Sequence, residues 1–296
     1  LTGLAPRPLV PAPRPLVIAH RGDWLESDHP GPQNSVAAVL SALEAGADGA
    51  EVDARLSADG TVVLHHDAEI GPADIEAGCA APQGTPLRAL ADAALRHLST
   101  LAELLGALVE GSAQPPVGAR RGPVVLNIEL KDLPGEPSWD DRYVLAQRVA
   151  GLLDASRLAS SARRQQLPPY PQAGPSSRQV PSSRQVPSSL EVVVSSFDPA
   201  SLHHFLRHAP GTTTALLLEE GDDWRHHLDR AEGLSGVNPE DAMAVPELFS
   251  AASSRGLAVV PWTVDSPDRA LELAALGAAG LITNRPRALL AALNRG

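Results

Sequence analysis

The chain has 296 residues, 43% of them hydrophobic, enough for a full buried core in one domain or two. No uncharged apolar run is long enough for a helical membrane span. A formal net charge of −11 argues against nonspecific nucleic-acid binding, which needs a basic face. Cys79 is the single cysteine, so no intramolecular disulfide forms, and such sparing use fits a reducing, cytoplasmic compartment. The N-terminus lacks the basic, apolar and small-residue order of a secretion signal. The sequence starts at Leu1 rather than Met, which leaves export open.

Residues 1–16 form a Pro-rich lead-in, with Pro-Arg-Pro-Leu-Val at 6–10 and again at 13–17, and little propensity to fold. From Val17 to the C-terminus the pattern reads as one domain in which short apolar runs alternate with helical periods. The strand candidates are 16–20, 49–55, 62–66, 124–130, 191–197, 213–219, 258–264 and 280–283. They are continuous apolar runs rather than alternating ones, as parallel strands buried on both faces are. Val36, Val39, Leu40 and Leu43 have the spacing of one buried helix face, capped by Asn34 or Ser35 and ended by Gly46. Asp198-Pro199, Ser266-Pro267 and Pro286 open further helices, proline being favoured in a first turn where its missing N–H loses no partner. Eight strands alternating with helices predict an α/β fold, a closed (β/α)8 TIM barrel.

Two stretches fall outside that count. Residues 67–97 show no clear helix until Leu87 and are expected to form a cap-like excursion over the barrel mouth. Residues 163–189 repeat Pro-Ser-Ser-Arg-Gln-Val at 175–180 and 181–186, which reads as a flexible low-complexity loop.

In such a barrel, functional groups lie at the C-terminal ends of the strands. His20, Glu51, Asp53, His66, Glu129, Lys131 and Trp262 all fall at predicted ends. Glu51 and Asp53 are two apart on a strand and so point to one face, the interior. Like charges there are costly unless a cation joins them. With Glu129 as a third hard donor, the set suits Mg²⁺ or Ca²⁺ better than zinc. A rim salt-bridge network with Arg21, Arg55 and Lys131 is the blander reading. His20 and His66 suit proton transfer near neutral pH, one activating an attacking oxygen and the other protonating a leaving group. His65 should face the other way and be structural. Arg21 and Lys131 offer donors to phosphate oxygens. Lys131 is the only lysine among 24 basic residues, which marks it further. Trp262 offers an apolar wall for a glycerol-like or alkyl group.

These residues resemble a known family, the glycerophosphodiester phosphodiesterases, over essentially residues 17–294. The likeness runs through His20-Arg21-Gly22, Pro32-Gln33-Asn34-Ser35, Glu51-Val52-Asp53, Asp59-Gly60 to His66-Asp67, Leu98 to Leu105, Asn127 to Lys131, Ser196-Phe197-Asp198, Pro261 to Val264 and Gly280 to Pro286. The resemblance implies a barrel with a small insertion after the second barrel strand, which residues 67–97 match. It implies a divalent metal on Glu51, Asp53 and Glu129, with His20 and His66 as acid and base. The implied reaction splits a small-molecule glycerophosphodiester into glycerol 3-phosphate and an alcohol, with a glycerol hydroxyl as a possible first nucleophile through a cyclic phosphate.

Two departures stand out. Gln33 occupies a position usually held by Glu, which predicts that Gln33, beside Asn34, modulates metal affinity or substrate choice. Asn284 follows Thr283 where an Asp is usual, and is expected to cap the next helix. The rival readings are a phospholipase D-like or lysophospholipid phosphodiesterase on the same barrel, a non-catalytic phosphodiester binder, and a metal-free phospholipase C-like barrel.

Overall fold

The apolar run at Leu16–His20 becomes β1, and the alternate residues Leu16 and Ile18 face inward among Val125, Val193, Ala215, Val260 and Ile282. Those side chains fill the floor of a barrel in a computed structural model that describes residues 14–27, 31–111, 123–156, 190–231 and 233–294. Most of the Pro-rich lead-in and the tandem loop at 163–189 lie outside the described residues. Of the lead-in, Arg14 is built into the fold, its guanidinium 2.6 Å from Asp48.

The remaining strands are β2 (Gly49–Leu56), β3 (Val62–Leu64), β4 (Val124–Leu130), β5 (Leu190–Ser196), β6 (Thr213–Leu218), β7 (Gly236–Pro239), β8 (Ala258–Val259) and β9 (Gly280–Thr283). Parallel pairing runs β8-β7-β6-β5-β4-β2-β1-β9. Backbone bonds from Ala279 N–H to Val259 C=O and from Ile282 N–H to Pro261 C=O, each 2.9 Å, join the two ends into a ring. The expected (β/α)8 barrel is therefore present, with helices packed outside the strands over a second, larger apolar layer.

Two strand assignments change. The run at 62–66 is not a barrel strand: β3 pairs antiparallel with the outer half of β2, Ala54 opposite Leu64 and Leu56 opposite Val62. The eighth barrel strand is instead β7, whose Gly-Val-Asn-Pro sequence has no apolar run to reveal it. The insertion does follow the second barrel strand, but it begins with the β2–β3 hairpin. It also holds a short helix at Pro72–Glu76, where none was expected, and packs on its own small core of Val63, Ile70, Cys79, Leu87 and Leu95.

The helix caps follow local chemistry. Ser35 accepts from Ala38 N–H, Asp198 from Ala200 and Ser201, and Ser266 from Arg269. Asn284 caps nothing, because Arg285 holds the N-cap position before Pro286. No helix among the described residues is long and apolar enough to cross a membrane.

Candidate active site

Register sets the site. His20 lies opposite Glu51 across β1 and β2, and Asp53 lies opposite Glu129 across β2 and β4. All four stand above the apolar floor, two residues or more beyond its last inward side chains. Gly49 allows the close approach, since a Cβ there would sit 2.1 Å from Val125 C=O.

Glu51, Asp53 and Glu129 are buried, and one carboxylate oxygen from each lies within 4.8 Å of the others. Glu51 Oε1 accepts no hydrogen bond among the described residues. Lys131 Nζ stands 2.8 Å from Glu129 Oε1 and 3.5 Å from Asp53 Oδ1, as ion pairs rather than well-aligned hydrogen bonds. Arg21 Nε is 3.0 Å from Asp53 Oδ2, while its backbone N–H donates to Glu51 Oε2 at 3.1 Å. Three inward carboxylates against two cations, with a bare buried oxygen between them, suit a divalent cation held by hard oxygen donors.

The electrostatics agree. Burial, then the charges of Asp53 and Glu129, hold the Glu51 carboxyl well above the ordinary range. Burial lifts Glu129 to about 7 against the pull of Lys131. Burial alone would raise Asp53 too, but Lys131 and then Arg21 bring it down to about 2.

Both predicted histidines reach this place by different routes. His20 ends β1, and its Nδ1 lies 2.8 Å from Asn284 Oδ1, leaving Nε2 3.8 Å from Glu51 Oε2. Asn284 is itself oriented by Asp265, to which its Nδ2 donates at 3.0 Å and its backbone N–H at 2.8 Å. Burial, then the Arg21 charge, push His20 down to about 4. His66 does not end a barrel strand. It arrives from above as β3 returns along β2, with Nδ1 2.7 Å from Asp67 Oδ1. Burial lowers His66 as well. His65 faces away, as expected, and its Nε2 meets Asp74 at 3.1 Å.

Gln33 does not face the acids: it is exposed, and its Oε1 accepts from Arg21 Nη1 at 3.0 Å. Asn34 braces Asp53, donating to Oδ2 at 2.8 Å and accepting from its backbone N–H at 2.9 Å. Trp262 is fixed by an Nε1–H bond of 2.8 Å to Asn238 C=O and meets the Phe197 ring edge-to-face at 5.7 Å. A cavity of about 280 Å³ takes in His20, Arg21, Glu51, His66, Glu129, Lys131 and Trp262, together with Phe197 and Glu219.

Three further residues hold the site in place. Arg55, 2% exposed, donates to His66 C=O at 2.8 Å and to Lys131 C=O at 2.9 Å, and it pairs with Glu136. Asp265 and the His20-facing amide of Asn284 are the others. Sequence reasoning placed Arg55 and Asn284 only in a rim salt-bridge network and a helix cap, and it missed Asp265, an acid just before the Ser266-Pro267 helix start and too common a signal to read.

The model of the Glycerophosphoryl diester phosphodiesterase family matches residues 20–135 and 178–288, more than half of the chain. The chain belongs to this family. As a member it is an enzyme, a hydrolase of phosphoric diesters. It is 26% identical over 284 residues to a glycerophosphodiester phosphodiesterase of Caldanaerobacter subterraneus subsp. tengcongensis, across 95% of this chain and 98% of that one. Solved structures of similar fold include a glycerophosphodiester phosphodiesterase from Parabacteroides distasonis, 20% identical with a TM-score of 0.66 over 95% of this chain and 98% of that one. A phosphodiesterase from Oleispira antarctica, solved with the product sn-glycerol-3-phosphate, is 18% identical with a TM-score of 0.65 over 95% and 97%.

Proposed function

We propose that the chain hydrolyses glycerophosphodiesters to glycerol 3-phosphate and an alcohol, with Ca²⁺ or Mg²⁺ held by Glu51, Asp53 and Glu129. The observation that carries this reading is that Glu51, Glu129, both histidines, Arg21 and Lys131 line one cavity, with the buried Asp53 carboxylate within 4.8 Å of the other two acids. When bound, the cation supplies charge neutralisation for the acids and for the phosphate. Arg21 and Lys131 orient the phosphate through its non-bridging oxygens.

The partners of the two rings divide the proton work. Neutral Asn284 holds the Nδ1–H of His20 and leaves Nε2 bare, which makes His20 the base that takes a proton from the attacking hydroxyl. Burial lowers His66, but its bond to Asp67 counters this, so of the two rings His66 is the one better able to carry a proton and serve as the acid for the departing alcohol. Trp262 and Phe197 give the substrate's carbon skeleton an apolar wall.

The test is release of glycerol 3-phosphate from glycerophosphocholine and glycerophosphoethanolamine, with and without EDTA. Activity should be lost to chelator and restored by Ca²⁺ or Mg²⁺. His20→Ala and His66→Ala should each cut turnover by roughly 100-fold or more. Chelator-insensitive turnover would overturn the metal assignment, and binding without turnover would overturn hydrolysis.

A further inference from the structure

His66 lies beyond the ladder that brings it to the cavity. β3 stops at Leu64, and the His66 ring has Asp67 as its hydrogen-bond partner. Those two side chains are 38% and 66% exposed, and a pair so open to water fixes neither member firmly. The backbone is held instead. His65 N–H donates to Asp53 C=O at 3.0 Å, and Arg55 donates to His66 C=O at 2.8 Å.

A third tether is a side chain. The His65 ring turns away from the acids, and its Nδ1 lies 2.9 Å from Asp67 C=O, so the ring reaches across His66 to the peptide beyond it. Its Nε2 lies 3.1 Å from Asp74 Oδ1. Both partners accept, and a ring with a proton on each nitrogen satisfies both. Asp74 is buried in the short helix at Pro72–Glu76, and its Oδ2 accepts from Gly71 N–H at 2.8 Å. His97 brings its Nε2 to the same Oδ1 at 3.2 Å. The segment that follows His97 lies along β3, with Thr100 opposite Val63 and Ser99 C=O accepting from Leu64 N–H at 2.8 Å. The Asp74 carboxylate is therefore gripped from its own helix and from the chain beside β3. None of His65, Asp74 and His97 lines the cavity.

We propose that His65, anchored by Asp74 and His97, is a positioning residue that holds the His66 ring in place above the acids. The proposal rests on the reading of His66 as the acid and adds the device that sets its aim. A ring displaced by about an ångström still stands in the cavity, but it delivers its proton poorly.

The experiment compares two diesters of glycerol 3-phosphate, one that releases choline and one that releases 4-nitrophenol. Choline departs as an alkoxide that needs a proton, whereas 4-nitrophenolate is stable without one. His65→Phe keeps an aromatic ring, removes both contacts, and leaves Asp74 its bonds to Gly71 and His97. It should lower kcat on the choline ester by roughly tenfold with KM little changed, and on the 4-nitrophenyl ester by less than about twofold. In a His66→Ala background, His65→Phe should lower turnover no further. Equal losses on the two esters where His66→Ala distinguishes them, or a further loss without the His66 ring, overturn the proposal. If His66→Ala slows both esters alike, the acid assignment falls, and the double substitution still judges the positioning. If neither ester is cleaved, the hydrolytic reading falls and NMR of labelled histidine decides. The χ1 couplings of His66 should then show one rotamer in the native chain and averaging in His65→Phe, and couplings unchanged by the substitution overturn the proposal.

Discussion

His20 Nδ1 and Asn284 Oδ1 lie 2.8 Å apart, and this contact determines which nitrogen of the ring faces the acids. Asp265 holds the amide the right way round by accepting from Nδ2. A carboxylate in place of the amide would favour the imidazolium. Exchanging the two groups, Asn284→Asp with Asp265→Asn, keeps a donor and an acceptor between them but raises the His20 pKa from about 4. With His20 as the proposed base, which works unprotonated, the acid limb of kcat/KM should move to higher pH while the alkaline limb stays. Asn284→Leu, which frees the ring, should lower kcat by roughly 10-fold or more.

The acids predict a coupling between pH and metal. In the chelated protein Glu51 and Glu129 hold protons above the ordinary carboxylate range, Glu129 up to about 7. The proposed cation would bind their ionised forms, so Ca²⁺ affinity should rise as pH rises through about 7, with proton release visible as a buffer-dependent heat. Stability of the chelated protein runs the other way. Folded values above unfolded ones stabilise fully below the unfolded carboxylate pKa, and that contribution fades as pH rises through the folded value. The Tm of chelated protein should fall between about pH 5 and pH 8, and saturating Ca²⁺ should remove the slope. Asp53 has the opposite sign, but its window lies lower, down to about 2.

Arg55 ties the two sides of the site by their backbones, through the carbonyls of His66 and Lys131. Arg55→Met strips both carbonyls and Ser138 of a donor and leaves Glu136 unpaired. Glu136 is partly exposed, which limits the loss, and a cost of about 2–4 kcal/mol is expected in urea unfolding. Turnover measured well below the lowered Tm should still be reduced, because both donors to the substrate region are then held less firmly.

Gly49→Ala should separate β2 from β4. The added methyl cannot coexist with Val125 C=O at 2.1 Å, and the strands that must part carry Asp53 and Glu129. Overpacking of this kind costs about 1–3 kcal/mol. Metal affinity should weaken together with stability, so calorimetric titration with Ca²⁺ and thermal unfolding should report the change in parallel.

Most of the barrel was legible because β1, β2, β4, β5, β6 and β9 carry runs of apolar residues where they are buried between the floor and the helices. The two misplaced strands have physical reasons. Val62-Val63-Leu64 is as apolar as a barrel strand because the insertion's own core covers it. Asp59-Gly60 before it is a hairpin signal, with Gly60 at φ 82° completing the turn, and it argued for an antiparallel return. At β7 neighbouring strands and helices supply the burial, so Gly236 and Asn238 need not be apolar themselves. Inward pointing of Glu51 and Asp53 followed from their spacing alone. The role of Asn284 did not, because an Asn before Arg-Pro reads as a helix cap and the ring it touches lies 264 positions away in sequence.

The eight residues of β2 are all buried, and the strand runs without a break from the barrel wall into the hairpin that founds the cap. The roof of the site and the acids beneath it are thus one continuous beam, with no joint between them. Lifting the roof would mean bending that beam and dislodging the acids. Of the residues that line the cavity, Phe197, Glu219 and Trp262 stand on the rim away from that beam.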